Sequence, residues 1–175
     1  MNKLDIVTDE SGNKVVLLPE IIFSNKQNIN WDDVENYLGK YVGELIEIAE
    51  TRDIIYIGNK FPDEYGGSSY TRKTKGARAK AKANAAQGIR EMVEIATDKV
   101  YRENHKEKHS EDAHNGWFYY VTRFAIPLYN NEKKTGEYNV YSACLVVNHA
   151  ANGKMYLYDV VDIKKEASNT LMTIK

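Results

Sequence analysis

The 175-residue chain has few of the features that define several large classes of protein. Its single cysteine, Cys144, excludes an intramolecular disulfide framework and any zinc site built from several thiolates. No apolar run approaches the ~18 residues that a membrane-spanning helix needs. The first ten residues, MNKLDIVTDE, lack the apolar segment of a secretory signal peptide. We therefore expect a cytoplasmic protein with no membrane partner, in which Cys144 is a buried small apolar residue.

Net charge is also scarce, because 24 basic and 25 acidic side chains leave a formal charge of -1. Taken alone, that balance argues against a histone-like polyanion binder. The charges are nevertheless segregated along the chain. Residues 1–64 carry 6 basic and 13 acidic side chains, whereas residues 65–90 carry 7 basic and no acidic ones. Such a basic block indicates either an anionic partner or pairing with the acidic segment of the same chain.

Hydrophobic periodicity predicts helices mainly in the first two thirds of the chain and strands in the last third. Residues 7–18 favour a hairpin, and Asn30 followed by two aspartates is typical of a helix N-terminus, so we expect a helix over residues 31–49. Residues 59–69 are expected to form a loop. The alanine-rich residues 77–87 predict a second helix, continued by an apolar stripe beyond a break at Gly88. Residues 117–128, 138–150 and 154–164 predict strands. The order implies an α+β fold with N-terminal helices followed by an antiparallel sheet meander.

The last hairpin can be predicted in more detail. Asn152-Gly153 is the preferred pair for a two-residue type I′ turn. That turn would pair Cys144 with Val161 and His149 with Tyr156. It would also turn the face that carries Cys144 towards the core.

The basic block is the first candidate functional feature. Alanines between its cations would let a phosphate backbone approach closely, and Arg78 and Lys82 have the spacing of one helix face. We expect a nucleic acid, with RNA favoured, or a protein–RNA complex as partner. Pairing with the acidic segment at residues 32–50 and simple solvation are the alternatives. The expected binding residues are Arg72, Lys73, Lys75, Arg78, Lys80, Lys82 and Arg90.

A metal-independent ribonuclease would need a general base, a general acid and a cation beside the phosphorane. The candidates for these roles are His114, Lys80, Lys82, Tyr120 and Arg123. On a strand, however, Tyr120 and Arg123 would point to opposite faces, which weighs against their acting together. His105, His109 and His114 lie in a charged stretch that we interpret mainly as a solvated connector. We expect neither a metal nor another cofactor.

Eight short motifs resemble one family of domains. They are FPDEY (61–65), YTRKTKG (70–76), AKAKANAAQGI (79–89), EIAT (94–97), DAHNGW (112–117), RFAIP (123–127), YNV (138–140) and NGKMYLYDVVDIKKEAS (152–168). The resemblance is to the large polyvalent protein-associated domains of phages and bacterial mobile elements. Several of these are grouped with the barnase–EndoU–colicin–RelE-like nucleases. The chain departs from the family pattern at Arg90 and at His114, and the resemblance identifies no catalytic residues.

This resemblance implies a host-conflict protein that acts in the cytoplasm of the bacterial host cell. Residues 1–52 would be an acidic N-terminal extension, a hairpin plus a helix, and residues 53–175 the polyvalent-type α+β domain. A small free-standing version suggests a non-enzymatic inhibitor of a host defence nuclease such as a CRISPR-Cas effector, as anti-CRISPR proteins are. A toxin-like ribonuclease and a virion or packaging accessory protein are the alternatives.

Overall fold

The computed structural model of the protein describes residues 3–24, 28–104 and 113–166. Short 3-10 turns at Gly39–Tyr41 and Ala86–Gly88 extend two of the helices. The helices and strands, in chain order, are β1 (Ile6–Thr8), β2 (Lys14–Leu17), α1 (Trp31–Leu38), β3 (Leu45–Glu47), β4 (Ile54–Tyr56), α2 (Phe61–Gly67), α3 (Ser69–Lys73), α4 (Gly76–Ala85), α5 (Ile89–Glu94), β5 (Thr97–Arg102), β6 (Trp117–Asn130), β7 (Lys133–His149) and β8 (Met155–Lys165).

The strands form a single mixed sheet. Its order is β1-β2-β6-β7-β8-β4-β3, and β5 pairs with the first part of β6. The β2–β6 and β4–β8 pairs are parallel. The α+β class predicted from the sequence is therefore confirmed. The finer prediction, N-terminal helices followed by an antiparallel meander, is wrong, because four strands precede α2 and the sheet curls into a mixed half-barrel.

The helices cover one face of this sheet. Phe124 of β6, Leu145 of β7 and Leu157 of β8 belong to the same buried cluster as Val34 of α1 and the inward-facing alanines of α4. A smaller cluster on the other face joins β2 to β6 and β7, and it consists of Val15, Leu17, Ala125, Tyr138 and Val140. Within the described ranges, no helix is long and apolar enough to cross a membrane.

The described part of residues 1–52 joins the same sheet and the same core. Strand β2 pairs with β6 through Val16 and Leu17. Val16 and Leu18 also lie in the main cluster beside Val34 and Leu38 of α1. The acidic segment is thus fixed against the strands that follow it in sequence.

Several local predictions hold, and others fail for local reasons. The Asn30 side chain caps α1 as expected, by accepting from the backbone N–H of Asp32 and Asp33. The helix ends at Leu38 rather than at residue 49, because a 3-10 turn and then Gly43, at φ +93°, redirect the chain into β3. Residues 59–69 contain α2 rather than a loop, since Pro62 lies in the first turn, where its missing N–H costs no helical bond.

The β7–β8 hairpin differs from its prediction in turn and in register. Its loop has three residues, closed by a 2.9 Å bond from the Ala150 N–H to the Lys154 carbonyl, and Gly153 adopts φ +85°. Cys144 does pair with Val161, but His149 pairs with Met155, because β8 contains extra residues that shift the register twice. On β7 the predicted core face is wrong, because Leu145 and Val147 rather than Cys144 pack in the main core. Cys144 is half-buried on the outer face, and burial raises the pKa of its thiol to about 11.

Gly116 gives a test of the backbone just before β6. Its φ is +95°, and a Cβ added there would lie 2.7 Å from the Arg102 carbonyl oxygen. We expect Gly116→Ala to lower the free energy of unfolding by about 3 kcal/mol, since it combines an unfavourable φ with a backbone clash. Gly12→Ala is the matched control, because Gly12 has φ +85° and open space around the added Cβ. It should cost about 1 kcal/mol. Equal losses in urea unfolding would contradict the close approach to Arg102.

Candidate nucleic-acid interface

The basic block folds into two short helices that meet at an elbow. Ser68 caps α3 by accepting from the Thr71 N–H, and Gly76, at φ +60°, lets the chain turn from Lys75 into α4. An open cavity of about 460 Å³ lies at this turn. Its lining combines three cations with a tyrosine and a threonine, namely Tyr70, Lys73, Thr74, Lys75, Ala77 and Arg78.

Five of the seven predicted binding residues are exposed at this α3–α4 elbow. The Nε of Arg72 donates to the Gly67 carbonyl at 2.9 Å, which orients one guanidinium along the surface. In the part of the chain that the structure describes, none of the five forms an ion pair. The elbow therefore presents uncompensated positive charge to the solvent. The five residues are Arg72, Lys73, Lys75, Arg78 and Lys80.

The prediction that Lys82 shares an exposed face with Arg78 is wrong, because the Lys82 side chain is 0% exposed. Burial along α4 begins at Ala79, so Arg78 lies in the exposed first turn and Lys82 one turn deeper, against the sheet. The Lys82 Nζ lies 2.6 Å from the Asp159 carboxylate of β8. Its ammonium is therefore not available to a phosphate in this structure.

Aromatic and hydroxyl groups enclose the buried Lys82–Asp159 pair. The Nζ also donates to the Thr71 Oγ1 at 2.6 Å and lies 4.6 Å from the centre of the Tyr65 ring and 5.1 Å from that of Tyr70. Burial lowers the pKa of Lys82 and raises the pKa of Asp159, while their mutual attraction opposes both shifts. The pair links α3, α4 and β8, and so it holds the elbow on the sheet.

Arg90 pairs with the acidic segment at residues 32–50, as the alternative interpretation of the basic block predicts. Its Nη2 forms an ion pair with the Glu44 carboxylate, just before β3. Arg90 is only partly exposed. Intramolecular pairing with the acidic segment thus accounts for this cation, but not for the five at the elbow.

The structure does not bring the five catalytic candidates together. Tyr120 is buried and donates to Asp53, whereas Arg123 points to the other face of β6 and lies 2.8 Å from Glu166. This confirms the predicted alternation along the strand. Lys82 is enclosed, Lys80 is exposed on α4, and His114 is exposed in the turn before β6. His105 and His109 lie outside the described residues.

A polar cluster around Asp53 was not predicted from the sequence. Its Oδ2 accepts from Tyr120 and from Thr51, each at 2.7 Å, and lies 2.8 Å from the Lys99 Nζ. Burial by itself would raise the pKa of Asp53, but the hydrogen bonds and the charge of Lys99 outweigh it and lower that pKa. The cluster was missed because Lys99 belongs to β5, a strand that the sequence pattern assigned to a continuing helix.

Among the described residues, no three His, Cys, Asp or Glu side chains come together as possible metal ligands. Comparisons with family models, with curated proteins and with solved structures gave no match to this chain. The likeness to polyvalent domains therefore rests on sequence motifs alone.

The burial of the Lys82–Asp159 pair can be tested by measuring the free energy of unfolding of substituted variants. Lys82→Met should lower the free energy of unfolding by about 3–5 kcal/mol, because it leaves the Asp159 carboxylate buried without its counter-ion. Lys82→Met combined with Asp159→Asn should recover much of that loss in urea unfolding, since no net charge remains buried. A loss below about 1 kcal/mol for the single variant would indicate an exposed Lys82, as surface pairs contribute little.

The Asp53 cluster predicts a pH dependence. Because the pKa of Asp53 is lowered in the folded state, its charge stabilises the fold above the ordinary value of 3.8, and that contribution is lost as the pH falls through the lowered pKa. We expect the stability difference between the wild type and Asp53→Asn to be largest near neutral pH and to shrink in acid. Glu137→Gln, at an exposed position of β7, should show no such trend. A pH-independent difference would contradict the assigned charge interactions.

Proposed function

We propose that the protein binds the phosphate backbone of a nucleic acid, with RNA favoured, or of the nucleic acid within a nucleoprotein complex. The observation that carries the proposal is the cluster of five exposed cations around the α3–α4 elbow, none with an ion-pair partner in the described ranges. Opposite charge attracts phosphates, and releasing their counter-ions drives binding without sequence preference. The buried Lys82–Asp159 pair supports the elbow from below.

Stoichiometric binding fits this geometry better than turnover does. A ribonuclease needs its acid, its base and its cation within reach of one phosphate. Among the candidates, Tyr120 is buried, Arg123 points to the opposite face and Lys82 is enclosed. This separation supports a non-enzymatic role and leaves the metal-independent ribonuclease as the alternative.

The biological setting of the proposal comes from the sequence motifs. They are similar to host-conflict domains of phages and mobile elements, so we propose an inhibitor of a host defence nuclease such as a CRISPR-Cas effector, acting in the cytoplasm of the bacterial host. Such a target combines RNA with basic protein surface. The exposed carboxylates of Asp32 and Asp33 in α1 would suit the protein component. A virion or packaging accessory protein is the further alternative.

Salt dependence tests the elbow. The triple variant Lys73→Gln/Lys75→Gln/Arg78→Gln should bind a labelled single-stranded RNA more weakly than the wild type in fluorescence anisotropy. It should also reduce the slope of log affinity against log salt by about 2, since each lost phosphate contact on a single strand contributes about 0.7. Lys133→Gln/Lys134→Gln/Lys165→Gln, at three exposed cations of β7 and β8, is the charge-matched control and should leave the slope nearly unchanged.

An unchanged slope in the triple variant would overturn the assignment of the elbow as the phosphate-binding surface. The same RNA, incubated with excess protein and EDTA, should remain intact on a denaturing gel. Multiple-turnover cleavage that His114→Ala abolishes would instead establish the ribonuclease alternative.

A further inference from the structure

A row of side chains crosses five neighbouring strands on the sheet face opposite the helices. In the strand registers, Arg102 of β5 pairs with Trp117 of β6, Trp117 with Asn148 of β7, Asn148 with Tyr156 of β8, and Tyr156 with Tyr56 of β4. The residues next to Trp117, Asn148, Tyr156 and Tyr56 along their strands pack in or against the main core, so alternation directs these four side chains to the other face. Four steps of about 4.8 Å give the row a span of about 19 Å.

The ends of this transverse row are cationic and most of its middle is aromatic. The exposed Arg102 forms one end. At the other end, the Lys154 Nζ lies 4.9 Å from the centre of the Tyr56 ring, which in turn lies 5.7 Å from the Tyr156 ring. Trp117, Tyr156 and Tyr56 are all partly exposed, and the row contains no carboxylate. It is thus complementary to a ligand with flat rings and negative charge.

Asn148, at the centre of the row, provides a second and independent indication of a ligand site. Only 7% of the residue is exposed, and its Oδ1 is buried without a hydrogen-bond partner. Among the described side chains it is the one such atom. Buried polar atoms in folded proteins nearly always have partners, so an unpaired one between two ring-bearing residues indicates a place where a ligand supplies the donor.

We propose that the transverse row is a nucleobase site for single-stranded nucleic acid. Bases stack on the rings of Tyr156 and Trp117, and the Asn148 amide pairs with the N–H donors and acceptors of a base edge. Arg102 and Lys154 contact the phosphates on either side. A neutral sugar would also stack on such rings, but the cation at each end favours an anionic strand.

This site adds a property that the elbow cannot have. Phosphate contacts position a strand without reading its sequence, whereas an amide between stacking rings distinguishes one base from another. The proposal shares its ligand class with the proposed function, but it rests on different residues. It predicts that the protein prefers some bases over others.

Two strands of equal length and equal phosphate number test the site, one of RNA and one with every base removed. Tyr156→Leu should weaken binding of the RNA by about 5- to 150-fold, the effect of losing one stacked base, and leave the abasic strand unaffected. Tyr129→Leu is the matched control, because Tyr129 is a 39% exposed tyrosine away from the row. Asn148→Leu, which keeps the size and removes the unpaired amide, should equalise the affinities for oligo(A), oligo(C) and oligo(U).

The possible outcomes separate the two surfaces. If the wild type binds both strands and the row variants bind the RNA normally, the nucleobase site is wrong and the elbow stands. If the wild type binds the RNA but not the abasic strand, the elbow proposal fails and the row stands. Equal weakening on both strands by Tyr156→Leu, at an unchanged melting temperature, would overturn base stacking. So would wild-type binding of a neutral oligosaccharide that Tyr156→Leu abolishes, with no binding of the RNA.

Discussion

The ion pair between Lys82 and Asp159 is the interaction on which the rest of the molecule depends. It joins α4 to β8, and the side chains of Lys82 and Asp159 are only 0% and 3% exposed. Because burying two charges costs nearly as much as their attraction returns, such a pair is valuable mainly for the arrangement it selects. Asp159 directly follows the first register shift in β8, so the ion pair and the bulge fix each other's position. With α4 held in this way, Arg78 and Lys80 have no route to the core and remain in solvent.

The two register shifts in β8 determine which of its side chains lie on each face of the sheet. A strand that gains one residue reverses which side chains point inwards, since side chains alternate with a period of two. In β8 this directs Leu157 and Val160 towards the helices and leaves Tyr156 on the outer face. The aromatic residues of the last hairpin are therefore divided between a sealed core and a partly exposed surface. The molecule has two chemically different surfaces, one of exposed cations and one of rings with a central amide.

Much of the fold could be predicted from the sequence where the determinants are local. The cap at Asn30, the alanine-rich helix α4 and the three long strands depend on propensity and short-range hydrogen bonds. The failures involve long-range contacts. Nothing local distinguishes Lys82 from Lys80, because the partner that buries it, Asp159, is 77 residues away in sequence. The core face of β7 follows from the three-residue loop, which pairs Leu157 with Val147, whereas the predicted two-residue loop would pair it with Asn148. Asn148 became a candidate only once the registers of β6 and β8 placed rings on both sides of it.

The net charge of the chain is near zero although its basic block keeps several exposed cations. Of the seven cations in the block, Lys82 is neutralised inside the protein and Arg90 is paired with the acidic segment, so five remain exposed. A net charge near zero thus coexists with a strong local field, and the field, not the sum, governs the encounter with a polyanion. That field cannot choose among sequences, because every phosphate carries the same charge. Selection requires desolvated hydrogen-bonding groups beside stacking surfaces, and on this chain the transverse row centred on Asn148 has that composition. In the proposed binding mode, attraction and base selection therefore lie on opposite faces of one sheet, and a single nucleic-acid strand reaches both only by passing over the edge of the sheet.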